Sequence, residues 1–106
     1  MRQPIQQRHV NDEDGNPAGG ETHGTGIAIT WQNGPLMRGA DRKEPNGAFV
    51  EGVIAAAIGR IEYYQKSKFS SRENAIALTH LETALLWLGK RTADREAREV
   101  EGTHSV

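Results

Sequence analysis

Arg91, Arg95 and Arg98 are the residues of this chain best suited to bind an anion. Their spacing of i, i+4 and i+7 places all three guanidinium groups on one face of a helix. The planar fork of arginine matches phosphate oxygens. Like charges stacked in this way repel unless acids or a bound anion neutralise them. Two readings therefore stand. In one, Asp94 pairs with Arg91 and Arg98, Glu99 pairs with Arg95, and the stretch is a solvated helix end whose cations suit the helix dipole. In the other, the stripe is half of an anion site.

Tyr64 and Phe69 bracket a break in the helical pattern and offer aromatic faces to a nucleobase, or plug the end of a hairpin. Asn74 carries paired donor and acceptor groups for a base edge, and equally suits a helix cap. Trp31 is a stacking or a packing residue. Asn33 and Arg38, on the loop that follows, complete the candidates, with Arg38 or Arg42 as a further phosphate contact.

Catalytic groups are not assembled in the same way. His9, His23, His80 and His104 follow no HxxxH or HExxH spacing, so no metal site is expected. Ser70 and Ser71 read as caps, with no neighbouring histidine to activate them. Gly24-Thr25-Gly26 lacks the following helix that a phosphate loop requires. The chain reads as a binding protein with no catalytic residues and no cofactor.

The elements that must position these residues are few. With 106 residues the chain forms one domain at most, and a net charge of −1 argues against a nucleic-acid coat or a polybasic membrane anchor. No apolar run is long enough to span a bilayer, and no signal peptide is visible. Absence of cysteine removes disulfides and fits a reducing compartment. By default this is a small soluble intracellular protein.

Residues 1–25 are polar and glycine-rich and read as a mobile segment. Ile27, Ile29 and Trp31 alternate as a strand does, and Asn33-Gly34 marks a turn before Pro35. A short β hairpin and loop are thus expected over 26–45. From residue 48 the period becomes helical through Val50, Val53, Ile54, Ala57, Ile58, Ile61 and Tyr64, with Asn46 as N-cap. After a break at 66–69, Ser70 and Glu73 have capping-box spacing. They open a second helix whose stripe is Ala75, Leu78, Leu81, Leu85 and Leu88, widened by Ile76, Ala84 and Trp87. The expected fold is α+β, mainly α. Residues 46–106 form a long antiparallel hairpin, with helices over 48–65 and 71–98 and a short tail beyond Gly102.

Such a hairpin cannot enclose its own core. Ala55, Ala56, Ala57 and Gly59 also leave a helical surface small enough for close approach by another helix. The sequence therefore predicts a homo-oligomer. Asn74 and Arg91 are separated by roughly 26 Å of helix, so one chain cannot grip a small ligand with both. A pocket that uses both must lie between chains.

Several strings then carry a family resemblance. Trp31-Gln32-Asn33-Gly34-Pro35, Pro45-Asn46-Gly47-Ala48-Phe49-Val50-Glu51, Arg60-Ile61-Glu62-Tyr63-Tyr64-Gln65 and Arg72-Glu73-Asn74-Ala75 are four of them. Arg91-Thr92 through Arg98 and Val100-Glu101-Gly102-Thr103-His104 complete the set. Together they resemble the phage Thoeris anti-defence one sponges, over roughly residues 24–104. The helical half also looks like the hairpin shared with anti-CBASS two sponges.

The resemblance implies a non-enzymatic protein that binds glyco-cyclic ADP-ribose signals intact, in the cytoplasm of an infected bacterial host. It implies contacts from Tyr64, Phe69, Asn74, Arg91 and Arg95, with the aromatic and Asn groups at adenine and the arginines at pyrophosphate. Tyr64 stands where many relatives have Phe. The resemblance further implies dimers, some assembling as hexamers that also bind cyclic di- and trinucleotides of CBASS at separate sites. The alternative reading is a structural or protein-binding helical oligomer with no nucleotide ligand.

Overall fold

Asp12 decides where the N-terminal segment turns. Its Oδ1 accepts the backbone N–H groups of Asp14 and Asn16, both at 2.9 Å, and Gly15 takes the left-handed φ of +81° that the tight turn needs. This side-chain-anchored turn joins β1 (Ile5–Asn11) to β2 (Pro17–Gly24). A two-residue link, Thr25-Gly26, then leads into β3 (Ile27–Trp31). The three strands form an antiparallel meander in the order β1-β2-β3. The structure, a computed structural model, describes the backbone of residues 4–101 and side chains through Ala97. Arg98, Glu99 and the expected tail lie outside the described side chains.

The meander corrects two expectations. Residues 5–24, read as mobile, are paired strands. Nor is there a hairpin within 26–45, because β3 pairs backwards with β2. The polar pattern misled for a physical reason: the pairing rests on polar cross-strand partners rather than alternating apolar ones. Gln6 faces His23, Gln7 faces Thr22 and Arg8 faces Glu21. Their side chains bond across the strands, at 3.0 Å for Gln6–His23 and Gln7–Thr22 and at 2.7 Å for Arg8–Glu21. Thr22 is the buried residue at the centre. Its hydroxyl donates to Gln7 and accepts the Trp31 indole N–H at 2.8 Å.

After β3 the chain leaves through a loop that closes on itself. Asn46 Oδ1 accepts the Asn33 N–H and Asn46 Nδ2 donates to the Asn33 carbonyl, at 2.8 and 2.9 Å. Gln32 Oε1 accepts the N–H groups of Asn46 and Gly47. A parallel bridge joins Trp31 to Ala48. Gly47 is dictated by this closure, since a Cβ there would sit 2.5 Å from the Trp31 carbonyl carbon. Asn46 is therefore a loop clasp and not the expected N-cap, and the first helix starts only at Val50.

The chain divides after Phe49 into two units. The second is the expected helical hairpin, with α1 over Val50–Gln65 and α2 over Arg72–Glu101. Both helices follow their apolar period. Val53, Ile54, Ala57, Ile58, Ile61 and Tyr64 form the half-buried stripe of α1, and Ala77, Leu78, Leu81, Ala84, Leu85 and Leu88 that of α2. Ala75, Ile76 and Trp87, expected within or beside this stripe, are exposed instead. A contact between Arg91 and Glu51 sets the start of α1 beside the distal half of α2, so the helices run antiparallel. No apolar side chain among the described residues is fully buried, while Leu86 is 74% and Trp87 67% exposed.

Candidate ligand-binding site at the helical hinge

Gln65 and Ser71 form the lock that holds the hinge. The Gln65 side chain accepts from the Ser71 N–H at 2.9 Å and donates to the Ser71 carbonyl at 3.0 Å. Ser71 Oγ in turn accepts the Asn74 N–H at 3.0 Å, satisfying one of the free donors at the start of α2. The cap is thus Ser71 rather than the expected Ser70. The Gln65 amide fixes the Ser71 backbone at the point where α2 begins.

Three candidate residues gather around this lock. Ser67 Oγ donates to the Tyr64 carbonyl at 2.6 Å and accepts the Phe69 N–H at 3.0 Å. Asn74 Nδ2 donates to the Phe69 carbonyl at 3.4 Å. Tyr64, Phe69 and Asn74 are therefore tied to one short turn. Phe69 does not plug the hairpin, for it is 67% exposed. Lys68 Nζ lies 5.4 Å from its ring centroid. Tyr64 is half-buried in the α1 stripe, and its hydroxyl accepts from Arg60 Nε at 3.1 Å. Asn74 does act in the capping turn, yet its Oδ1 takes no bond among the described residues. The arrangement offers one exposed aromatic face, one supported aromatic ring and a free amide acceptor, which together suit a planar base.

Of the arginine stripe, Arg91 and Arg95 lie within the described side chains. Asp94 Oδ2 pairs with Lys90 at 2.8 Å, and among the described residues it forms no ion pair with Arg91. Lys90 lies one turn before Asp94, the i,i+4 spacing at which the two side chains meet. Arg91 has turned toward α1, where its Nη2 stands 3.9 Å from Glu51 Oε2. Arg95 is exposed and forms no ion pair among the described residues. Trp87, Lys90, Arg91, Asp94 and Ala97 line a shallow open concavity on this part of α2. Its two basic groups and exposed indole suit an anionic ligand that carries an aromatic ring.

Trp31, Asn33 and Arg38 belong to the first unit and are engaged there. The Trp31 indole N–H is spent on Thr22 and both backbone groups of Asn33 are spent on Asn46. Arg38 precedes the short 3-10 turn Gly39–Asp41, and its carbonyl accepts the Asp41 N–H at 3.2 Å.

Sequence reasoning overlooked Glu51, Trp87 and Arg60. Glu51 could not be found by spacing, because its partner is forty positions away. Exposure of Trp87 depends on which side of α2 meets α1. Arg60, by contrast, was legible: it precedes Tyr63 and Tyr64 by three and four residues, the spacing at which helical side chains meet.

Known proteins resemble this chain in sequence. The family described as "Acb2/Tad1, hairpin domain" matches residues 25–93. "Thoeris anti-defense 1" of Bacillus phage SBSphiJ7 is 52% identical over 77 residues, which cover 72% of this chain and 51% of that protein. The chain thus spans about half the length of this relative. With well over half of its own residues matched, the chain belongs to the Acb2/Tad1 hairpin-domain family.

Proposed function

We propose that this protein is a phage anti-defence sponge that captures glyco-cyclic ADP-ribose, the Thoeris signal, and holds it uncleaved in the host cytoplasm. The observation that carries this reading is the hinge turn. It holds Tyr64 and Asn74 beside a Phe69 that is 67% exposed, in a family shared with a named Thoeris anti-defence protein. An exposed aromatic ring fixed by backbone bonds loses little freedom when a base stacks on it. Arg91 and Arg95 supply cations for the pyrophosphate.

Each pocket joins the hinge of one protomer to the arginines of another, since the two ends of α2 are too far apart for one chain to use both. The half-buried stripes and the exposed Leu86 and Trp87 support a homodimer, with a hexamer as its higher assembly. Cyclic di- and trinucleotides of CBASS are a second ligand class at separate sites, supported by the resemblance to anti-CBASS two sponges.

Calorimetry with glyco-cyclic ADP-ribose tests the assignment. Arg91→Ala and Asn74→Ala are expected to leave the oligomer folded and to weaken binding by about tenfold or more, the scale of a lost charged or base-edge contact. Unchanged affinity in both variants contradicts the site. Because the same exposed residues suit a structural or protein-binding oligomer, a wild type that binds no nucleotide favours that alternative.

A further inference from the structure

Arg60, on the last turns of α1 before the hinge, is held by two tyrosines. Its guanidinium carbon lies 5.0 Å from the Tyr63 ring centroid and 4.9 Å from that of Tyr64. Its Nε donates to the Tyr64 hydroxyl at 3.1 Å. No acid pairs with it among the described residues, so ring faces and a phenol oxygen alone meet its charge. Its Nη groups form no hydrogen bond among the described residues, although Arg60 itself is exposed.

We infer that Arg60 is an anion-contacting residue of the hinge site, presenting its Nη groups to a phosphate of the nucleotide whose base rests on the hinge aromatics. The inference rests on the sponge reading and adds a cation that Arg91 and Arg95 cannot supply within one chain. Two rings and the tyrosine hydroxyl fix the guanidinium plane before any ligand arrives. An arginine held in this way loses less side-chain freedom on forming a bidentate phosphate contact. Lys66, Lys68 and Arg72 are further cations at the hinge, and of these Lys68 is a flexible point charge lying over Phe69. The Tyr64 hydroxyl acquires a purpose, because it anchors the Nε edge and leaves the other edge of the fork outward.

The test is calorimetry of Arg60→Ala, Arg60→Lys and Lys68→Ala with glyco-cyclic ADP-ribose at low and high salt, with thermal unfolding of each variant. Arg60→Ala is expected to weaken binding by about tenfold or more and to flatten its salt dependence, since a cation–phosphate contact is lost. Arg60→Lys keeps the charge and most of the stem, and is expected to recover the salt dependence but less than half of the lost affinity on a logarithmic scale. Lys68→Ala is expected to change affinity by less than threefold. Wild-type affinity in Arg60→Ala overturns the inference and leaves the sponge reading standing. So does a loss of affinity with unchanged salt dependence, which marks Arg60 as a support for the rings alone. Should Arg60→Ala fail to fold, Arg60→Lys decides: wild-type affinity there contradicts the bidentate contact. A wild type that binds no nucleotide overturns both readings.

Discussion

Arg91 Nη2 stands 3.9 Å from Oε2 of Glu51, so the two charges face each other across the hairpin without a hydrogen bond. Glu51 lies in the first turn of α1, where a carboxylate is favoured by the helix dipole. Arg91 is thereby aimed without being neutralised in a tight pair. In the proposed pocket, the diphosphate would meet a cation already turned toward the hairpin, with only a loose competitor to displace.

Removing that competitor has a definite sign. Exposed ion pairs contribute about 0.2–1 kcal/mol, and both side chains are at least a third exposed. Glu51→Gln is therefore expected to lower stability by less than about 1 kcal/mol and to tighten glyco-cyclic ADP-ribose binding by up to about fivefold. Urea unfolding and calorimetry measure the two effects. Weaker binding in this variant identifies Glu51 as a group that helps to hold the ligand.

Ser71 couples helix capping to the shape of the hinge. Ser71→Ala removes the acceptor for the Asn74 N–H and is expected to cost about 1 kcal/mol. Ser71→Asp keeps an acceptor and is expected to restore most of that stability. Chemical denaturation distinguishes the pair. Equal stability of Ser71→Ala and wild type places the working cap elsewhere.

The N-terminal meander has a predictable acid limit. The hydrogen bond from Arg8 holds the Glu21 carboxyl below the usual carboxylate range. A depressed folded-state pKa stabilises above the unfolded value of about 4.3 and loses its effect as pH falls through the folded value. Glu21→Gln is thus expected to melt below wild type from pH 5 to 8, with the gap closing toward pH 3. A gap that persists in acid contradicts a charge-based role for this pair.

Helical periodicity was enough to draw the second unit. Val53, Ile54, Ala57, Ile58 and Ile61 share one half-buried face of α1, as their spacing requires. Tyr64, Phe69 and Asn74 were legible as a group because they are local in sequence, and a hinge of six residues leaves them little room to separate. Periodicity failed for β1 and β2, where Gln, His, Arg and Glu face one another and the pairing is polar. It also passed over Lys90, which pairs with Asp94 at i,i+4 spacing while Arg91 faces a distant acid. Trp87 has the same character as Leu88 in the sequence, and the line of contact with α1 alone sets them apart.

The central claim is capture without cleavage. Its most direct measurement is to mix the purified protein with one glyco-cyclic ADP-ribose isomer, remove free ligand, heat-denature the complex and weigh what is released by mass spectrometry. Release of the intact nucleotide, approaching one molecule per chain, is the predicted result. Recovery of breakdown products, or of no nucleotide at all, contradicts it.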